Sequence, residues 1–220
     1  MDFPFTAKQF MDIMVKYNTA VWPMQIILNA LALFAVYLVF RKGNRNPLYI
    51  SLILAFFWIW NGVMYHLIYF TSINNAAYLF GLLFVLQGIL FATNSFGKNS
   101  LQFSWKPDIT SFTGLIFIAY ALLVYPVIGQ MAGHGYPQQP TFGLPCPTTI
   151  FTFGLLLMNR KKTPLSLLII PFLWSVIGFM AAVHFGIYED SGLLIAGILG
   201  ILILLIQNKK YSGVIANTSN

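Results

Sequence analysis

Apolar stretches of about 20 residues follow one another along almost the whole chain, and short segments separate them. A stretch of this length spans the hydrocarbon core of a bilayer as an α-helix, because about 20 residues at 1.5 Å each cover roughly 30 Å. Charged residues make up 8% of the chain, against about 25% in soluble domains. The sequence therefore predicts an all-α, polytopic membrane helix bundle.

We expect about seven transmembrane helices within a membrane domain at residues 22–208, between an N-terminal segment at residues 1–21 and a tail at residues 209–220. Their expected bounds are residues 22–40, 48–70, 75–93, 110–129, 142–158, 165–187 and 191–207. The fifth span is the least regular, since a helix that begins at Pro147 covers only about 18 Å by Met158. Either residues 134–147 form an extended cap, or this span is a half-helix that starts inside the membrane.

The basic residues set the orientation. Ten of the twelve fall in every second inter-helix segment and in the C-terminal flank, where Asp108 is the single acid. These ten are Arg41, Lys42, Arg45, Lys98, Lys106, Arg160, Lys161, Lys162, Lys209 and Lys210. The opposite side holds Lys8 and Lys16 with the other four acids, Asp2 and Asp12 among them. This positive-inside pattern predicts an N-terminus outside and a C-terminus inside the cytoplasm, and it explains the net charge of +7 without a nucleic acid partner.

The N-terminal segment predicts an amphipathic helix over residues 6–17. Thr6 and Gln9 have capping-box spacing. One face of the helix carries Phe10, Ile13, Met14 and Tyr17, and the opposite face is charged. We expect this helix to lie on the outer surface of the membrane.

A pattern of aromatic and small residues occurs twice. Phe-x-Trp-x3-Gly-x-Met is found with identical spacing at residues 56–64 and 172–180, and both copies follow a basic segment that ends in Pro-Leu. Spans one to three and five to seven could therefore be parallel repeats joined by the fourth span. Coincidence in a chain of low diversity would give the same pattern.

Two such repeats would enclose a central cavity. The aromatic and polar residues expected around it are Trp58, Asn61, Tyr65, Trp174, Gln25, Gln87, Cys146 and Thr148. An aromatic face and an amide can hold a small neutral solute, which favours a small-solute transporter or permease. Each polar residue could equally be a hydrogen-bonding contact between helices.

A second hypothesis is a metal site at the outer face. Its candidate ligands are His66, His134, His184 and Asp190, with Glu189 and Cys146 close by. Such side chains could bind a divalent metal such as zinc in a membrane-embedded enzyme. Alternatively the histidines lie at the membrane interface and Asp190 caps the last helix. A third hypothesis, a non-catalytic membrane assembly subunit, needs only packing between helices.

Three stretches carry a family resemblance, namely residues 58–66 (WIWNGVMYH), 119–126 and 140–154 (PTFGLPCPTTIFTFG). In them, and over nearly its whole length, the chain resembles a family of bacterial integral membrane proteins that is catalogued as a domain of unknown function. The resemblance implies a multi-pass protein of the bacterial inner membrane. It implies no activity.

The predicted orientation determines the outcome of reporter fusions. Alkaline phosphatase, which is active only outside the cytoplasm, should be active when fused after Asn75 and silent when fused after Arg160. A reporter that works only inside the cytoplasm is the control and should give the opposite result at both positions. If all four fusions show the reverse pattern, the orientation is wrong.

Overall fold

The computed structural model describes residues 4–97 and 100–218, with side chains up to residue 211. Asp2 and Lys98, which belong to the charge pattern, lie outside the described residues. Within those ranges the chain is helical, and β-pairing is limited to two isolated bridges. The helices are α1 (Ala7–Ala20), α2 (Met24–Phe40), α3 (Asn46–Ser72), α4 (Ala77–Asn94), α5 (Ile109–Met131), α6 (Pro145–Leu156), α7 (Ser166–Phe185) and α8 (Ser191–Thr218).

Five of these helices are long and apolar enough to cross a membrane, namely α3, α4, α5, α7 and α8. Helices α1 and α2 pass the same test only as one unit, and they meet at an angle of 83°. By length and composition the described residues therefore hold five candidate spans, or up to six, and the count of about seven stays a prediction. The difference arises because α2 and the short α6 each count as a full span in the sequence pattern.

Helix α6 lies at the centre of the bundle. It has 12 residues, so it covers about 18 Å and cannot cross a core of about 30 Å alone. Eleven of the 12 are buried, and Cys146 is the one that is partly exposed. The helix begins at Pro145, two residues before the start expected from the sequence, and an irregular segment at residues 132–144 leads into it. Helices α3, α5, α7 and α8 pack around it.

Two glycines allow α5 and α6 to cross closely. A Cβ atom on Gly114 would lie 2.5 Å from the carbonyl oxygen of Gly154, and one on Gly154 would lie 2.8 Å from the carbonyl oxygen of Gly114. Small residues at a crossing let two helix backbones approach each other. The position of α6 therefore depends on the absence of a side chain at both sites.

Hydrogen bonds join α6 to α3. The indole nitrogen of Trp58 donates to Oγ1 of Thr152 at 3.0 Å, and Nδ2 of Asn61 donates to Oγ1 of Thr148 at 3.2 Å. All four side chains are buried. These pairs offset the cost of placing polar groups inside the bundle.

Asn159 joins three segments just beyond the end of α6. Its side-chain oxygen accepts a hydrogen bond from the amide of Gln102 at 2.8 Å, and its side-chain nitrogen donates to Oγ1 of Thr163 at 2.9 Å. Nearby, the amide of Trp105 donates to the carbonyl of Val39 at the end of α2, at 3.2 Å. The segments that carry the basic residues thus meet at one end of the bundle. We name it the inner end, and the opposite end the outer end, after the predicted orientation.

Arg160 and Asp108 form an ion pair at the inner end, with 2.9 Å between Nη1 and Oδ2. Asp108 also caps α5, since its Oδ1 accepts a hydrogen bond from the amide of Ser111 at 2.9 Å. Partial burial acts to raise the pKa of the Asp108 carboxyl, but the hydrogen bonds from Ser111 and Thr110 and the charge of Arg160 lower it overall. The carboxylate therefore stays ionised and holds the start of α5 against the segment after α6.

The capping box predicted for α1 is present. The amide of Gln9 donates to Oγ1 of Thr6 at 3.2 Å, and the amide of Thr6 donates to Oε1 of Gln9 at 2.8 Å. Three of the four residues on the predicted apolar face are buried, and Phe10 is partly exposed. This face packs on the outer end of α3, so α1 covers part of the bundle.

Tyr17 and Asn18 fasten α1 to the segment before α6. The hydroxyl of Tyr17 donates to the carbonyl of Gly143 at 2.9 Å and accepts a hydrogen bond from the indole of Trp60 at 2.8 Å. Nδ2 of Asn18 donates to the carbonyl of Pro137 at 2.8 Å. The irregular segment is therefore held between α1 and the rest of the bundle.

The glycines of the two copies of the motif have similar surroundings, since each lies close to the following helix. A Cβ atom on Gly62 of α3 would lie 2.8 Å from the carbonyl oxygen of Gly81 on the following helix, and one on Gly178 of α7 would lie 2.8 Å from Leu193 on the following helix. The first helices of the two halves differ, since α2 has 17 residues and α6 has 12. The parallel repeat stays a prediction.

Replacing Gly154 with alanine should destabilise the protein. The new methyl group would lie 2.7 Å from Ile118 and 2.8 Å from the Gly114 carbonyl, and overpacking of this kind costs about 1–3 kcal/mol. Because one contact is with backbone, we expect the upper part of that range, about 2–3 kcal/mol, which leaves a net loss of about 1–2 kcal/mol after the roughly 1 kcal/mol by which alanine favours a helix over glycine. We expect the melting temperature in detergent to fall by about 2–8 °C. Gly97→Ala is the matched control, because nothing lies within 4 Å of its Cβ position; equal melting temperatures for the two variants would contradict the close crossing.

Candidate functional site

A pocket of about 340 Å³ opens at the outer end, beside the start of α6. The lid side is formed by residues on and just before α1, namely Pro4, Phe5, Phe10 and Met14. Most of the remaining wall is apolar or aromatic and includes Phe70, Phe80, Trp174, Ile177, Ala181, Ala182 and Ile187. The polar side chains that line it are those of Asp190, Cys146, Tyr125, Tyr65 and Asn74.

Two stretches of π-helix border this pocket. One is Asn61–Tyr69 within α3, and it contains Tyr65. The other is Tyr120–Val124 within α5, and Tyr125 follows it directly. In α5 the cause is local, because Pro126 has no amide hydrogen and cannot continue the regular hydrogen-bond ladder. Wider turns of this kind occur frequently at functional sites, since they change the direction in which side chains point.

A buried carboxyl group lies at the polar end of the pocket. Asp190 is 5% exposed, and its Oδ1 accepts a hydrogen bond from the Tyr125 hydroxyl at 2.5 Å. The thiol of Cys146 lies beside the same carboxyl group and beside the indole of Trp174. Helices α5, α6 and α7 and the turn before α8 thus each contribute one of these side chains.

The neighbouring Glu189 faces the other way. Its side chain is completely buried, and its Oε1 lies 3.3 Å from Nδ1 of His134 in the segment before α6. The backbone carbonyl of Glu189 accepts a hydrogen bond from the Tyr120 hydroxyl at 2.6 Å. Glu189 therefore fixes the turn that presents Asp190 to the pocket.

His66 lies behind the pocket wall. It is fully buried, and its ring centroid is 4.6 Å from that of Phe84 and 4.9 Å from that of Trp174. Neither ring nitrogen of His66 has a hydrogen-bond partner among the described residues. His66 thus packs against the rear of Trp174 as part of an aromatic cluster.

The metal site suggested by the sequence is not formed. Among the described residues, no group of three or more histidine, cysteine, aspartate or glutamate side chains is placed to hold a metal ion. His66 points into the aromatic cluster, His134 faces Glu189, and His184 is exposed on α7 with its ring 4.9 Å from that of Phe185. The sequence places these histidines toward the outer face, but in the structure their side chains point in different directions.

The cavity residues expected from the sequence separate into two groups. Tyr65, Cys146 and Trp174 line the pocket. The other five form hydrogen bonds within the bundle. Trp58, Asn61 and Thr148 take part in the bonds between α3 and α6. Gln25 donates to the carbonyl of Asn18, and Gln87 donates to the carbonyl of Leu167. Phe84 fills the space between Trp58 and Trp174, with ring centroids 4.5 and 5.0 Å away. The pocket therefore lies in the outer half of the bundle and not between these two tryptophans.

Sequence reasoning assigned no role to two parts of the pocket. One is Tyr125, whose position directly before Pro126 is the signal that could have indicated it. The other is the lid, whose helix was expected to lie on the outer surface of the membrane. Asp190 was singled out, but as a metal ligand or a helix cap.

The comparison of the whole chain with family models matches residues 7–213 to a family of unknown function, DUF6064. The chain belongs to this family. Comparison with curated proteins and with solved structures finds no match. The DUF6064 match thus agrees with the resemblance noted above and assigns no activity, so the function must be argued from the pocket.

Cys146 provides a direct probe of the pocket, because it is the single cysteine of the chain. We expect the cationic reagent 2-(trimethylammonium)ethyl methanethiosulfonate, added from outside, to modify it in preference to the anionic sulfonatoethyl reagent. The ratio of the two rates should exceed by about tenfold the ratio at an exposed reference cysteine, since the Asp190 carboxylate attracts cations. The reference is Gly135→Cys in a Cys146→Ser background, because nothing lies within 4 Å of that position.

The Asp190→Asn variant should lower the rate ratio at Cys146 to that of the reference. Equal ratios at Cys146 and at the reference in the unmodified protein would contradict the pocket as described, as would a reaction of Cys146 only from the inner side.

Proposed function

We propose that this protein binds a small, largely apolar organic cation in the outer pocket, as the recognition step of a small-solute carrier in the bacterial inner membrane. The observation that carries the proposal is the buried carboxyl group of Asp190 at one end of a pocket whose walls are mainly aromatic and aliphatic. We thus keep the small solute of the sequence-based hypothesis, but we propose that it binds in the outer half of the bundle and not in a central cavity.

The shape of the pocket supports a ligand of modest size. A volume of about 340 Å³ falls at the lower end of the range of roughly 300–1,000 Å³ found for small-molecule sites. Such sites are typically apolar with a few polar groups that orient the ligand. Here the polar groups are concentrated around Asp190, so the ligand should be polar at one end only.

The charged residues around the pocket favour a ligand with a cationic end. Among the described residues, no lysine, arginine or histidine lines the pocket. Lys8 of α1 is exposed and pairs with Asp12 at 2.8 Å, and His134 faces Glu189. A buried carboxylate without a cation nearby is costly, so a ligand that supplies one gains affinity there.

Aromatic side chains add to this preference. The rings of Tyr65, Phe70, Phe80 and Trp174 line the pocket together with those of the lid. The faces of such rings attract cations, by about 0.5–2 kcal/mol each when water is excluded. Aromatic sites of this kind are known to recognise quaternary ammonium groups.

The short helix α6 favours a role in transport in addition to binding. Half-helices that end at a cavity near the middle of the membrane recur in secondary transporters, and α6 begins beside the pocket and reaches the inner end. At that end, Asn159 and the pair between Arg160 and Asp108 hold the surrounding segments together. Transport would therefore require these contacts to open while α1 closes the outer side.

A direct binding measurement tests the proposed ligand class. The 4-phenylbutyltrimethylammonium ion should bind to the purified protein, measured by calorimetry in detergent, at least tenfold more tightly than a neutral phenylalkyl alcohol of the same length. Asp190→Asn should remove that difference, because it removes the negative charge that attracts the ammonium group; a tenfold preference corresponds to about 1.4 kcal/mol. Asp12→Asn is the matched control, since it removes an exposed carboxylate on the same side of the protein.

Equal affinity for the cation and the alcohol would contradict the proposal that the pocket prefers a cationic ligand. Loss of cation binding in Asp12→Asn as well would show that general surface charge and not the pocket is responsible. Uptake of the labelled cation into reconstituted vesicles then separates the two steps: binding without uptake would leave the pocket as a binding site and contradict the carrier.

A further inference from the structure

A groove of about 540 Å³ lies at the inner end, between the start of α7 and the end of α8. Two lysines stand beside it, Lys162 and Lys209, and an aliphatic wall is formed by Leu165, Leu202, Leu205 and Ile206. The groove is separate from the outer pocket and its proposed ligand, since no described residue lines both.

The two sides of the groove are fixed to each other by a pair of reciprocal hydrogen bonds. The amide of Thr163 donates to Oδ1 of Asn208 at 2.8 Å, and Nδ2 of Asn208 donates to the carbonyl of Thr163 at 2.8 Å. Both residues are buried. Because Lys162 and Lys209 directly adjoin this pair, their backbones are held at a constant separation.

The charges at the groove are uncompensated. Lys162 and Lys209 are exposed, and neither forms an ion pair with a carboxylate among the described residues. Asp108, the single acid of the inner side, pairs with Arg160. Two lysines in this setting attract an anion.

The wall of the groove requires an apolar chain attached to that anion. Leu165, Leu202 and Ile206 are 58%, 52% and 56% exposed. Leu202 and Ile206 follow the axis of α8 away from Lys209 toward the middle of that helix, and Leu165 lies directly before α7. A free phosphate ion would make no contact with this wall, whereas a lipid held by the lysines would pack an acyl chain against it.

We propose that the groove binds one anionic phospholipid of the inner leaflet, with its phosphate between Lys162 and Lys209 and an acyl chain along the aliphatic wall. Basic pockets between membrane helices on the cytoplasmic side recognise lipid headgroups of this class. Because the start of α7 and the end of α8 meet there, the bound lipid stabilises the inner end of the bundle.

Thermal unfolding in detergent tests this inference. Added phosphatidylglycerol should raise the melting temperature of the protein by about 3–6 °C more than the same concentration of phosphatidylcholine. The Lys162→Gln, Lys209→Gln double variant should lose this difference. The matched control is Lys42→Gln, Lys106→Gln, which removes two exposed lysines of the same side that do not line the groove.

Native mass spectrometry gives a second readout that does not depend on stability. The unmodified protein and the control variant should each retain one more phosphatidylglycerol molecule than the Lys162→Gln, Lys209→Gln variant. The proposal is overturned if the control variant loses the lipid equally, or if phosphatidylcholine stabilises as well as phosphatidylglycerol does. It is also overturned if soluble glycerol phosphate gives the full stabilisation, since the aliphatic wall would then be unused.

Discussion

The burial of a 12-residue helix inside the bundle is the constraint on which the rest of the structure depends. Helix α6 is buried on all sides, and four longer helices surround it. Because it is about 18 Å long, the space beyond its first residue has to be filled by other parts of the chain. The irregular segment at residues 132–144, the turn before α8 and helix α1 meet there, and the pocket is the volume that they leave unfilled.

The arrangement concentrates polar chemistry at one end of that volume. Pro145 and Pro147 start α6 and set Cys146 beside the carboxyl group of Asp190. Tyr125 reaches the same carboxyl group from α5, directly after a π-helical stretch that Pro126 favours. Burial of an acid is costly, so the position of Asp190 inside an aromatic pocket is the feature that most strongly supports the proposed ligand binding.

Much of the architecture could be predicted from the sequence, because it depends on local patterns. Helical spans follow from apolar stretches, and the capping box of Thr6 and Gln9 follows from residue spacing alone. The grouping of basic segments at one end also follows from the charge pattern, although the side of the membrane stays a prediction. The site was harder to predict, since it depends on side-chain direction. Trp58 and Asn61 have the polarity of cavity residues, but a sequence does not reveal that Thr152 and Thr148 are their partners.

The central claim is that an organic cation occupies the space between Asp190 and the aromatic wall at the outer end of α6. The most direct measurement is a crystal structure of the protein with a bromine-substituted phenylbutyltrimethylammonium ion, in which anomalous scattering locates the bromine and the density locates the ammonium group. The account predicts the ammonium group within about 5 Å of the Asp190 carboxylate, with the bromophenyl ring under the lid formed by Phe5 and Phe10. A ligand bound between Trp58 and Trp174, or an empty outer pocket at saturating ligand, would contradict it.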